Sequence, residues 1–152
     1  MKVFRIGAGL AIGAVMVLSG MTGALAKQSS LVIAPGSTVY DCQMGMHESF
    51  IPPRILLIRD PSTHKVAIYD GYVKSVYGRP LWATTEEDTP QHLMLIWTVK
   101  NLKGDTNRGS STNVDIHYNA TYVTGSRSIT MTAQVMGYVN PESQGTGSCT
   151  QR

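Results

Sequence analysis

Few residues in this chain have both the type and the spacing that chemistry needs. The four histidines, His47, His64, His92 and His117, are scattered. His64 reads as a loop residue, His92 as the start of a strand, and His117 as one of a polar row beside Asp115 and Asn119. Met44-Gly45-Met46-His47 places two thioethers and an imidazole together, a soft set suited to Cu(I). As the only such cluster it reads instead as a loop after the first strand, its Met side chains packing over a barrel end. Glu86, Glu87 and Asp88 are adjacent carboxylates, and paired carboxylates do acid/base work when their environments separate their pKa values. Three in a row before Thr89-Pro90 read as a solvated loop. The sequence has no Gly-rich phosphate loop, no His-Glu-x-x-His, no Gly-x-Ser-x-Gly and no Cys-x-x-Cys. A non-enzyme without cofactor or metal is therefore expected.

Recognition residues are easier to find. Tyr72, Lys74, Tyr77, Arg79 and Trp82 fall within eleven positions, and Tyr, Trp and Arg dominate interface energetics. Tyr72 to Trp82 is the expected contact surface.

The elements that must position these residues are strands. From Val114 to Tyr122, Val114, Ile116, Tyr118, Ala120 and Tyr122 alternate with polar residues, and Ile129, Met131, Ala133 and Val135 do so from Ser128 to Val135. Period two gives each strand one apolar face. Thr124-Gly125-Ser126-Arg127 lies between them, with Gly first in a two-residue loop, the type II′ hairpin signature. That turn fixes a register: Tyr122 opposite Ile129, Ala120 opposite Met131, Tyr118 opposite Ala133, Ile116 opposite Val135 and His117 opposite Gln134. A slip of one residue would set apolar side chains against polar ones.

Further strands are expected at Thr38 to Gln43, Arg54 to Arg59, Lys65 to Tyr69, Tyr72 to Tyr77 (after an Asp70-Gly71 turn), Leu81 to Thr84 and His92 to Lys100. The last is apolar in both phases, as in a strand covered on two faces. Asn101 to Ser111 and Asn140 to Gly147 read as loops. Helical signals are almost absent; Thr85 to Asp88 could start one turn before Pro90 stops it. The fold class is all-β, a small antiparallel barrel or sandwich of about seven or eight strands.

The first 26 of the 152 residues have the anatomy of a cleavable export signal. Lys2 and Arg5 are its basic start, Ile6 to Leu18 its apolar stretch, and Ala24-Leu25-Ala26 its cleavage site. Residues 27–152 then form one domain, with no stable membrane insertion after cleavage. The chain has 13 Lys and Arg against 10 Asp and Glu. Removing Lys2 and Arg5 leaves one surplus positive charge, which argues against nucleic acid as a partner. Cys42 and Cys149, near the ends of this domain, form one disulfide in an oxidising compartment. Chain-entropy arguments give such a long closure roughly 4–5 kcal/mol.

Tyr40-x-Cys42, Phe50-Ile51-Pro52-Pro53-Arg54-Ile55, Val66-Ala67-Ile68-Tyr69-Asp70, Gly78-x-Pro80-Leu81-x-Ala83, Trp97, Gly137-Tyr138-x-Asn140 and Gly145-x-Gly147-x-Cys149 together cover nearly all of residues 27–152. In this frame the chain resembles a family of small exported proteins of alphaproteobacteria, which brings no catalytic residues to carry over. More loosely it is similar to the periplasmic inhibitors of C-type lysozyme, small β-barrels with a Tyr-x-Cys near the start and a disulfide to a late Cys. Their inhibitory Ser-Gly-x-x-Tyr loop is missing from residues 27–152, where Ser75-Val76-Tyr77-Gly78-Arg79 is its faint echo. The expected function is a binding or interaction module of a Gram-negative cell envelope, periplasmic or secreted, with an envelope protein as partner. The alternatives are a small-ligand-binding barrel and a lysozyme-inhibitor-like protein.

Overall fold

A computed structural model of the protein describes residues 34–105, 111–139 and 142–152. Residues 1–26, the expected export signal, lie outside them, as do parts of the 101–111 and 140–147 stretches. The elements are β1 (Thr38–His47), β2 (Arg54–Arg59), β3 (Val66–Asp70), α1 (Gly71–Tyr77), β4 (Leu81–Trp82), β5 (Thr84–Asp88), β6 (His92–Asp105), β7 (Ser111–Val123), β8 (Ser128–Val135) and β9 (Ser143–Gln151). All nine strands join one antiparallel sheet in the order β4-β3-β2-β1-β9-β8-β7-β6-β5. β4 and β5 lie at its opposite edges yet are separated in sequence only by Ala83. The sheet must therefore curl until its edges meet, and it is a nearly closed barrel rather than a sandwich. Ala83 donates its N–H to the Val66 carbonyl (2.9 Å) at this closure.

The β7–β8 register is the one that alternation dictates, with Tyr122 opposite Ile129, Ala120 opposite Met131, Tyr118 opposite Ala133, Ile116 opposite Val135 and His117 opposite Gln134. The turn is not type II′. Its left-handed residue is Arg127 (φ 53°), and Gly125 does not have a positive φ. Cys42 and Cys149 are bonded, directly opposite one another on β1 and β9. The Cys149 N–H donates to Arg127 on the β8 side (2.8 Å), so the cystine occupies a non-hydrogen-bonded position of the β1–β9 ladder, where side chains approach closest.

Other expectations are corrected as well. Tyr72 to Tyr77 is helical, not extended. Asp70 caps α1, its Oδ1 accepting from the Tyr72 and Val73 N–H groups (2.7 and 2.9 Å), and Gly78 ends it at φ 65°. Thr85 to Asp88 belongs to β5, because closing the barrel requires an edge partner for β6. Residues 143–147 belong to β9, which fills the gap between β1 and β8. Met44 to His47 continues β1, and Met46 is 75% exposed rather than packed over a barrel end.

Inside the barrel, Trp97 stacks on Tyr118 (centroids 5.1 Å apart), and the Tyr118 hydroxyl donates to the Phe50 carbonyl (2.9 Å). Burial pushes that phenol up from its ordinary range. Val73 of α1 is fully buried in the same core, which also includes Leu57, Ile68, Leu95 and Ile129. β6 is buried at Leu93, Leu95, Trp97 and Val99 and half-buried at Met94, Ile96 and Thr98. One of its faces is core and the other only partly covered. No helix among the described residues is long and apolar enough to cross a membrane.

On the outer face of β1, Asp41 is almost wholly buried beneath two arginines. Arg54 donates through Nε to Oδ1 (2.8 Å) and through Nη2 to Oδ2 (2.7 Å), and Arg152 pairs with Oδ2. The hydrogen bonds from Arg54, with the charges of Arg152 and Arg54, hold this carboxyl below the usual aspartate range against the cost of its burial. The sign follows from linkage. A carboxylate with a depressed native pKa contributes stability above its unfolded value, near 3.9, and that contribution is lost as pH falls through the lower native value. Asp41→Asn is expected to unfold at about 1–2 kcal/mol less than the parent at pH 7. Urea titrations at successively lower pH should show the gap closing below about pH 4. A gap that stays constant with pH would assign the effect to packing.

Candidate functional site

The expected contact residues do not share one surface. Tyr72 and Tyr77 pack against the core. Tyr77 also accepts the Lys100 N–H (2.9 Å), which is left unpaired by a bulge in β6 between Val99 and Leu102. Its role is to close that bulge. Lys74 borders a shallow depression of about 330 Å³ with Pro53, Arg54, Leu56, Tyr69 and Gly71. Arg79 is exposed beyond the end of α1. Ser75 to Tyr77 is helical and Gly78 is its cap, so this segment is not a protruding loop. Trp82, 44% exposed on β4, borders a different cleft. The possible metal set is not assembled either, since Met44 is buried while Met46 and His47 are exposed.

The Trp82 cleft, about 440 Å³, lies where the barrel closes and is bounded by Thr63, His64, Lys65, Trp82, Ala83, Thr85 and Asp88. Its walls are fixed from three directions. Register sets Trp82 opposite the fully buried Ala67 of β3. Arg59 is opposite buried Val66 and Asp88 opposite buried Leu93, so both side chains lie on rows that face the barrel interior. There Arg59 Nη2 donates to Asp88 Oδ1 (2.9 Å) and Oδ2 (2.6 Å), tying β2 to β5 across the closure.

The same nitrogen lies 3.0 Å from His64 Nδ1. The same Nδ1 lies 3.4 Å from Asp88 Oδ2, so it meets Arg59 as an acceptor when the ring proton is on Nε2 and Asp88 as a donor when it is on Nδ1. His64 is placed by the loop before β3. There Asp60 Oδ1 accepts from the Ser62 hydroxyl (2.7 Å) and from the Ser62 and Thr63 N–H groups (2.8 and 3.0 Å). These bonds, the Ser62 hydroxyl foremost, lower the Asp60 pKa to about 2. The His64 N–H donates to the Asp60 carbonyl (3.0 Å), and His64 itself is left-handed at φ 58°.

Sequence reasoning missed this constellation. Arg59, His64 and Asp88 lie on two strands and a loop that meet only because the chain bends at Ala83. The sequence signals that bear on it are the Asp60-Pro61 turn and the shortness of the 81–84 strand.

A second groove, about 430 Å³, crosses the outer face of β6 to β8. It is lined by Met94, His117, Asn119, Thr121, Thr130 and Gln134, among others, with His117 Nδ1 at 3.2 Å from Thr98 Oγ1. His117 therefore lies on the polar face that alternation assigns to it. No family model, curated protein or solved structure matches the chain.

Proposed function

We propose that this chain is an exported, non-catalytic binding module of the cell envelope, and that it engages its partner through the edge carrying Trp82. The observation that supports this most is the contrast between the two tryptophans: Trp97 is 4% exposed inside the barrel, whereas Trp82 is 44% exposed on an edge strand paired with β3. A large, rigid, exposed aromatic gives contact area at little conformational cost. The Cys42–Cys149 bond supports a place outside the reducing cytosol, in keeping with the export segment at residues 1–26.

The test is retention of envelope components by immobilised, oxidised residues 27–152, compared with the Trp82→Ala variant at matched thermal stability. Loss of an anchoring aromatic is expected to weaken binding by at least about thirtyfold. Equal retention by the two proteins, or none by the parent, would refute this reading.

A further inference from the structure

We propose that the cleft beside Trp82 is a saccharide subsite, taking the face of a neutral pyranose on the indole and its hydroxyl groups on Asp88 and His64. The inference rests on the Trp82 edge being the contact surface and adds the chemical class of what it holds. The chemistry of the walls narrows the choice. An anion would meet the Asp88 carboxylate, which lines the cleft, and a cation would meet Arg59 and Lys65 behind and beside it. An apolar ligand would take water from Asp88, Thr85 and His64 and offer no hydrogen bond in return. A neutral polyhydroxyl ligand satisfies all three conditions.

Each sugar hydroxyl is at once donor and acceptor, and the cleft supplies the matching pair. The Asp88 carboxylate is charge-balanced by Arg59 and accepts. The His64 ring has Nδ1 turned to Arg59 and Asp88, so Nε2 is the nitrogen left for a sugar hydroxyl, which can serve it as acceptor or as donor. Trp82 supplies a flat face whose negative π-cloud suits the polarised C–H bonds of a pyranose ring. Asp88 and His64 are in place before a ligand arrives, held by the Arg59–Asp88–His64 contacts and by the bonds to Asp60 that shape the His64 loop.

The protein carries its own reporter. It has two tryptophans, and Trp97 is buried, so a ligand that covers the exposed indole alters the emission of Trp82 alone. The oxidised protein is titrated with chitotetraose and maltotetraose as neutral probes and a sulfated tetrasaccharide as an anionic one. At least one neutral probe should give a saturable blue shift with a dissociation constant on the order of 1 mM. His64→Ala, which leaves the Arg59–Asp88 pair in place, should weaken it about tenfold, as should Asp88→Asn if that variant folds. No saturable change with either neutral probe, a response to the sulfated probe alone, or a response that His64→Ala leaves untouched each overturns the proposal. If Trp82→Ala still loses an envelope partner while no saccharide moves the emission, the contact surface stands and the saccharide assignment falls. If both fail, the contact surface falls with it.

Discussion

Replacing Cys42 and Cys149 together by alanine is expected to lower the free energy of unfolding by about 4 kcal/mol, a large share of the roughly 5–15 kcal/mol that holds a domain of this size. The two cysteines are 107 positions apart in sequence but directly opposite on neighbouring strands. The bond therefore constrains the unfolded chain far more than the native one. Register along β1–β9 is specified independently by the bulge between Met44 and Met46 and by Arg152, which pairs with Asp41 and donates its N–H to the Val39 carbonyl. The variant should keep the native sheet and its Trp97–Tyr118 stack while its unfolded ensemble expands. Urea unfolding should show a lower midpoint together with a steeper dependence on denaturant, the mark of a larger surface exposed on unfolding. Alanine is the proper replacement because both sites are buried and a serine hydroxyl would add its own desolvation cost. A loss below about 1 kcal/mol would mean that the chain remains compact when unfolded and that the loop-closure argument does not apply here.

What the sequence reveals of this fold follows how local each feature is. The β7–β8 hairpin is legible because Ile116 to Tyr122 and Ile129 to Val135 alternate cleanly and only one register joins apolar to apolar. Its turn is misread because glycine is the usual left-handed residue, whereas Arg127 adopts that conformation and Gly125 does not. Helix α1 is hidden by its composition. Tyr72, Val73, Val76 and Tyr77 favour strands, so the Asp70 and Gly78 caps pass for ordinary turn residues. β5 is hidden because Thr84 to Asp88 has no apolar side to reveal it, and its pairing with β6 is decided by closure of the barrel. The same holds for the candidate site. His64 and Asp88 are 24 positions apart, and nothing short of the bend at Ala83 brings them to a common carboxylate–imidazole–guanidinium contact. Of the five residues picked as a contact surface, Trp82 borders that cleft, while Tyr72 and Tyr77 serve the core.

β9, like β5, is a strand that alternation misses, because the positions before Cys149 that face Met131 and Ile129 are Gly145 and Gly147, and this leads to the second expectation. Gly147→Ala should destabilise the protein by about 3 kcal/mol, and Gly145→Ala by about 1 kcal/mol. Gly147 does not have a positive φ, so no backbone conformation demands glycine there. Space demands it. A Cβ on residue 147 would lie 2.2 Å from the Gln43 carbonyl oxygen and 2.9 Å from both the Gln43 carbonyl carbon and Met44 Cα. These are main-chain atoms of β1, and no rotamer change relieves them. At Gly145 the nearest atoms are Ile51 Cγ2 (2.6 Å) and Met44 Cε (3.1 Å), ends of side chains that can give way. The strain at 147 would be relieved most directly by parting β9 from β1, but Cys149 is bonded to Cys42 two residues away. The disulfide should therefore keep Gly147→Ala folded in the oxidised protein, while the same substitution on the Cys42→Ala, Cys149→Ala background should leave too little stability to fold. Thermal unfolding of the single variants checks the order. A Gly145→Ala protein less stable than Gly147→Ala would mean that the core beneath Ile51 is more rigid than the β1 main chain, and that the tight approach of β9 to the bulge is not what selects glycine.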